Sequence, residues 1–163
     1  GIGNGLFAPQ MTTTRAQMVQ ILYNLAGDPE VRGTTPFTDL TDDWYQDAVL
    51  WGYQTGVVAG TSATTFSPND PVTREQAAVL LMGYAEKIAQ VDLSGAQADL
   101  SRFPDGDQVS DWARTQMSAA VALGLISGVP IDGRDYLCPQ DSATREQVAT
   151  ILMAFCRNVL QKP

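Results

Sequence analysis

The chain has 163 residues, 44% of them hydrophobic and 17% charged, with ten basic and 18 acidic side chains for a net charge of −8. That length suits one domain with a real core, and no apolar run approaches the ~18 residues of a membrane span. The acidity excludes a general attraction for nucleic acid or an anionic membrane surface, and the absence of histidine removes His-based triads, HExxH zinc sites and imidazole bases.

In chain order, Met18, Val19, Ile21, Leu22 and Leu25 follow Thr14 at helical spacing and predict a first helix. A loop, Gly27 to Pro36, leads to a second helical pattern carrying Trp44, Ala48, Val49, Trp51 and Gly52. Asp43 precedes it in a capping position, and Gly56 suits its end. Ala78, Leu80, Leu81 and Tyr84 mark the third helix, and an Ala/Asp-rich linker over residues 86–102 adds at most one helical turn. Asp111 stands before a fourth pattern of Trp112, Met117, Ala119, Ala120 and Leu123. Extra residues around Ile131–Asp135 precede the last helix, with Val148, Ile151, Leu152 and Phe155. The wide apolar arcs of the helices that follow Thr14, Thr73 and Thr144 predict that these three form the buried centre. Strands find little support, apart from short extended pieces beside the glycines. Cys138 and Cys156 form no CxxC pair and are expected to be free thiols.

These elements repeat. Phe7-Ala-Pro9 leads to Thr14-Arg15-Ala16-Gln17, Phe66-Ser-Pro68 to Thr73-Arg74-Glu75-Gln76, and Leu137-Cys-Pro139 to Thr144-Arg145-Glu146-Gln147, always with six residues from Pro to Arg. Phe37-Thr-Asp39 leads to Trp44 and Phe103-Pro-Asp105 to Trp112; Gly follows each Trp at twelve and at sixteen residues (Gly56 and Gly60, Gly124 and Gly128). Gly1 stands six residues before Phe7, as Gly60 does before Phe66, so the first repeat is expected to hold only its second half. One domain over 1–163 is expected: half-repeat and linker at 1–36, a full repeat and linker at 37–102, and a full repeat at 103–163. No signal peptide is visible at the start.

The order Phe-x-Asp, Trp, Gly-x-x-x-Gly, Phe-x-Pro, Thr-Arg-x-Gln resembles the S-layer homology (SLH) domain of bacterial surface proteins. The resemblance implies an all-α fold of tandem helix-loop-helix repeats, packed with pseudo-threefold symmetry around a central three-helix bundle. It also implies grooves between repeats that bind secondary cell-wall polysaccharide through pyruvate-ketal sugars. The function expected on that basis is non-catalytic anchoring at the extracellular bacterial cell surface, without cofactor, catalytic residue, metal, nucleic acid or membrane insertion. The alternative is a structural module that makes protein–protein contacts in a surface lattice, including self-association through the incomplete first repeat.

The residues expected to meet the polysaccharide are Arg15, Arg74, Arg145, Gln17, Gln76, Gln147, Asp39, Asp105, Trp44, Trp112, Gly60 and Gly128. Each has a plainer alternative. Thr-x-x-Gln is a capping box, which accounts for the glutamines without any ligand. The arginines stand at the first helical position, against the helix dipole, where an anion from elsewhere would favour them. Helix-end amides together with a forked guanidinium suit a carboxylate, and Gln in place of the family's usual Glu removes a competing charge. The plain reading of each Arg is a salt bridge to a neighbouring Asp, Asp39 or Asp105 for instance. Trp44 and Trp112 either pack in the core, which helical spacing favours, or stack on sugar rings; Trp51 has no assignment. Gly60 and Gly128 admit a ligand close to the backbone or simply make turns. Asp105-Gly-Asp107 begins like a calcium loop, but Val109 stands where the third ligand belongs.

Overall fold

The computed structural model describes residues 11–161, so the expectations placed on Gly1 and on Phe7-Ala8-Pro9 lie outside the described residues. Among the described residues five α-helices follow one another: α1 (Arg15–Leu25), α2 (Gln46–Thr55), α3 (Arg74–Lys87), α4 (Arg114–Ala122) and α5 (Arg145–Asn158). Three of them start at the Thr-x-x-Gln boxes. The Gln17, Gln76 and Gln147 amides donate to the hydroxyls of Thr14, Thr73 and Thr144 at 3.1, 3.2 and 3.0 Å. Each glutamine oxygen in turn accepts from the threonine amide at 2.9–3.0 Å. Such a box satisfies two amides that would otherwise be orphaned, and losing the Thr typically costs ~1 kcal/mol.

α2 and α4 begin differently. Each is led in by a 3₁₀ turn, Asp43–Tyr45 and Asp111–Ala113, in which the two aspartates are the first residues and the cap positions fall to Asp42 and Ser110. The expected capping role of Asp43 and Asp111 is therefore corrected. The Tyr45 hydroxyl accepts from the Thr41 and Asp42 amides at 3.0 and 3.1 Å, which anchors the first turn instead. Gly56 and Gly124 follow α2 and α4 at φ +80° and +76°, a conformation that a side chain disfavours.

The apolar faces pair off, α2 against α1 and α4 against α3. Tyr23 of α1 meets Trp51 of α2 at 5.7 Å with the rings tilted, Trp51 meets Tyr84 of α3 at 6.3 Å, and Tyr84 meets Phe155 of α5 edge-on at 5.9 Å. Fully buried Met18, Leu22, Leu81 and Met117 fill the remaining space. The segments entering α1, α3 and α5 close a ring of backbone hydrogen bonds. Thr13 N donates to Ala143 O at 3.0 Å, Ala143 N to Val72 O at 2.9 Å, and Val72 N to Thr13 O at 2.8 Å.

One element departs from an all-helical expectation. Val129–Ile131 pairs antiparallel with Arg134–Tyr136 across Asp132-Gly133, both at positive φ (50° and 80°). Asp-Gly is the residue pair that a tight I′ hairpin demands, so the insertion folds as a two-stranded ribbon. In the linker after α3, a 3₁₀ turn at Leu100–Arg102 is the one helical turn expected there. Both cysteines are free.

Candidate functional site

The Pro-containing turns before α3 and α5 organise the site. Ser67 and Cys138 adopt φ +59° and +50°, which points consecutive amides the same way. Asp39 receives the Phe66 and Ser67 amides at 2.9 and 2.8 Å, and Asp105 receives those of Leu137 and Cys138 at 2.8 and 2.9 Å. Burial works against the charge on Asp39, but the Phe66 and Ser67 amides and nearby Arg15 outweigh it and hold the carboxyl below its usual range. Both aspartates are thus tied to the protein's own backbone, and Asp105 is held there rather than in a calcium loop.

The arginine of the preceding repeat reaches the same turn from its other side. Arg15 Nε donates to Phe66 O at 2.9 Å and its Nη2 to Ala59 O at 3.2 Å; Arg74 Nε donates to Leu137 O at 2.8 Å. Arg15 also lies over the Phe66 ring, 4.8 Å from its centre. Among the described residues the one salt bridge within 4.0 Å is Arg114–Asp111, at 3.7 Å. The expected Arg–Asp39 and Arg–Asp105 salt bridges are therefore corrected: turn carbonyls occupy the guanidinium Nε, and turn amides occupy the carboxylates. Arg15 and Arg74 instead bolt their repeats to the next.

The helix-end amides also differ from expectation. Arg15 N donates to Asp70 O and Ala16 N to Pro68 O, at 2.9 and 3.0 Å; Arg74 N and Glu75 N donate to Asp141 O and Pro139 O, both at 2.9 Å; Arg145 N donates to Met11 O at 2.7 Å. With the third amide held by the Thr hydroxyl, the ends of α1 and α3 have no free donor there for an incoming carboxylate. The guanidinium is what remains.

Three clefts line these junctions. Arg15, Ala59, Gly60, Gln76, Leu80 and Trp112 surround one of about 440 Å³. Arg145 with Gln17, Gln20, Ile21 and Trp44 borders a second of about 400 Å³. Arg74 with Gly128, Gln147 and Ile151 borders a third of about 340 Å³, which no Trp lines among the described residues. Such volumes fall within the ~300–1,000 Å³ of small-molecule clefts. Each cleft thus gathers the Arg of one repeat and the Gln of the next, and two add the Trp of the one after. Burial opposes the charge of Arg15 (7% exposed) and Arg74 (5% exposed); Asp70 and Asp39 act the other way on Arg15, and Cys138, Asp141 and Asp105 on Arg74.

The tryptophans correct the core reading. Trp44 and Trp112 are 52% and 58% exposed, because the 3₁₀ turn gives the buried slot to the next residue, Tyr45 or Ala113, at 0%. Trp51, by contrast, is core at 4%. The two glycines border the clefts and are also needed by their turns. A Cβ on Gly60 would overlap the Ser62 and Thr65 carbonyls and the Phe37 ring, and Gly128 sits at φ +98°. Sequence reasoning missed Glu75, 3% exposed, which accepts from Ser110 N at 3.0 Å, Ser110 Oγ at 2.7 Å and Gln140 Nε2 at 3.2 Å. Its partners lie in the next repeat, where no local spacing reveals them.

The model of the S-layer homology domain matches residues 1–19, 36–78 and 102–149. The chain belongs to the S-layer homology domain family. A surface-layer 125 kDa protein of Lysinibacillus sphaericus is 36% identical over 164 residues, covering 100% of this chain and 13% of that protein. An amylopullulanase of Thermoanaerobacterium thermosulfurigenes is 29% identical over 93% of the chain and 8% of its own length. A cellulosome-anchoring protein of Acetivibrio thermocellus is 29% identical over 98% of the chain and 36% of its own length. The chain thus spans well under half of each relative. No described helix is long and apolar enough to cross a membrane.

Proposed function

We propose that this SLH domain is a non-catalytic anchoring module, which holds its parent protein at the bacterial cell surface by binding secondary cell-wall polysaccharide. The half repeat and two full repeats, with the boundaries given above, act as one unit about a pseudo-threefold axis, a reading supported by the closed Thr13–Val72–Ala143 ring. Relatives that include a surface-layer protein, a cellulosome-anchoring protein and an amylopullulanase sharing only 8% of its length fit a portable attachment device.

The observation that carries the ligand class is the state of the arginines. Arg15 and Arg74 border clefts, are largely desolvated, and have no carboxylate within 4.0 Å among the described residues. A desolvated cation without a contact anion favours an anionic ligand. A pyruvate ketal supplies a carboxylate of that charge, and exposed Trp112 or Trp44 offers a face for its sugar ring. The Arg15 cleft, with Gly60, Gln76 and Trp112 all present, is the best equipped.

Calorimetry with isolated wall polysaccharide tests this reading, with enzymatic removal of the ketal as the decisive arm. Binding that disappears with the ketal supports it; equal affinity after removal rejects the anionic mechanism.

A further inference from the structure

We propose that Glu75 is a positioning residue for the Arg15 cleft: from the start of α3 it fixes the orientation of Trp112, a task that the Tyr45 hydroxyl performs for Trp44. The two exposed tryptophans stand at matched places. Each is second in its 3₁₀ turn, Asp43–Tyr45 or Asp111–Ala113, and each is followed by a fully buried residue. An exposed indole keeps one direction only if the backbone that carries it is held, and the amides leading into the turn need acceptors. At the first turn the Tyr45 phenol oxygen accepts from Thr41 N and Asp42 N at 3.0 and 3.1 Å. The turn that presents Trp44 is thus closed from within, by the residue after the tryptophan.

At the second turn that device is gone. Ala113 stands in the place of Tyr45 and has no hydroxyl, and Ser110 stands in the place of Asp42. The Asp42 amide has its counterpart in Ser110 N, which donates to Glu75 Oε1 at 3.0 Å, while Ser110 Oγ donates to Glu75 Oε2 at 2.7 Å. A carboxylate from α3 therefore replaces a phenol from within the turn, and bonds to a charged acceptor are the stronger kind. The exchange is complete in the sequence: the place of Glu75, two residues past the capping threonine, is Ala16 in α1, so Tyr45 goes with Ala16 and Ala113 with Glu75. Glu75 is itself held. It is 3% exposed, its amide donates to Pro139 O at 2.9 Å, and Gln140 Nε2 donates both to Glu75 Oε1 at 3.2 Å and to Gln108 O at 2.7 Å. Its chain neighbour Gln76 lines the Arg15 cleft, as Trp112 does, so one carboxylate sets two lining groups relative to each other. Trp112 thus depends on a contact between repeats, and Trp44 does not. What Trp112 meets rests on the polysaccharide-binding proposal; how it is held does not.

Fluorine NMR of the full chain labelled with 5-fluorotryptophan reads this without a ligand, the resonances being assigned with Trp44→Phe and Trp112→Phe. We expect Glu75→Ala to shift and narrow the Trp112 resonance and to leave that of Trp44 as it was, and Tyr45→Phe to do the reverse. Glu75→Gln, which keeps an acceptor for Ser110 N, stays closer to wild type. Unfolding curves establish that each variant is folded, and Ser110→Ala, which removes only the hydroxyl, replaces Glu75→Ala if that variant does not fold. Calorimetry with a pyruvylated wall saccharide is the second arm. Glu75→Ala weakens binding at least about fivefold in the wild-type chain and less than about twofold where Trp112 is already Ala. Equal weakening in both backgrounds marks a merely structural role and overturns the proposal, as does a Trp112 resonance that Glu75→Ala leaves unaltered. If the wild type binds no saccharide, the polysaccharide reading fails, and the resonances alone support or overturn the role of Glu75.

Discussion

Replacing Asp39 by Asn isolates the contact between this carboxylate and the turn before α3. The carboxylate takes two amides, Phe66 N at 2.9 Å and Ser67 N at 2.8 Å, one on each oxygen. Asparagine keeps one acceptor in its neutral form and turns an NH₂ donor against the second amide. A charge-assisted bond contributes ~1.5–3 kcal/mol and an unmatched buried donor costs ~1–3 kcal/mol, so the loss is about 2–4 kcal/mol. At about 2–4 °C per kcal/mol for a chain of this size, the melting midpoint falls by about 5–15 °C. The pH dependence is specific. The Asp39 carboxyl is held below its ordinary range by the two amides and Arg15. A depressed carboxylate stabilises the fold fully above its unfolded pKa, and that stabilisation drains away as pH falls through the folded one. The gap between wild type and Asp39→Asn in urea titrations should therefore be constant from pH 7 to about 5 and narrow towards pH 2.5. A gap under about 0.5 kcal/mol, or one equally wide at pH 2.5, would refute the assignment.

Gly60→Ala puts a methyl group into the Ser62 and Thr65 carbonyls and the Phe37 ring, and should cost about 1–3 kcal/mol in thermal unfolding; Gly95→Ala, with nothing within 4 Å, should stay within about 0.5 kcal/mol. Trp112→Ala, at 58% exposure, should alter stability by less than about 1 kcal/mol in urea melts while weakening glycan binding. Burial, followed by Asp141 and Asp105, pushes the Cys138 thiol up, so its alkylation should be slower than that of a free cysteine at pH 8 and should accelerate only above the usual thiol range, as followed by peptide mass mapping.

What the chain reveals on inspection is whatever its chemistry completes locally. Thr14 and Gln17 satisfy one another three residues apart, and Gly56 ends α2 in the conformation that glycine favours, so helix boundaries could be read directly. Asp132-Gly133 is equally local, and the short extended pieces expected beside the glycines pair there as a hairpin. Other features were hidden because their partners lie far along the chain. Asp39 meets amides 27 and 28 residues away, Arg15 a carbonyl 51 residues away, and Glu75 a serine 35 residues away. The outward turn of Trp44 and Trp112 was lost for a subtler reason: a 3₁₀ turn breaks the 3.6-residue period from which their burial was inferred.

Arg15 is proposed to receive an anionic sugar as well as to bolt two repeats together. Its direct test is the calorimetric affinity of wild type and Arg15→Ala for a pyruvylated wall saccharide, with unfolding curves recorded on the same samples to establish that the variant is folded. Loss of a charge-assisted contact of ~1.5–3 kcal/mol predicts binding weaker by about 10- to 100-fold. A folded Arg15→Ala chain that binds the saccharide as tightly as wild type would contradict the claim and leave Arg15 with the structural task alone.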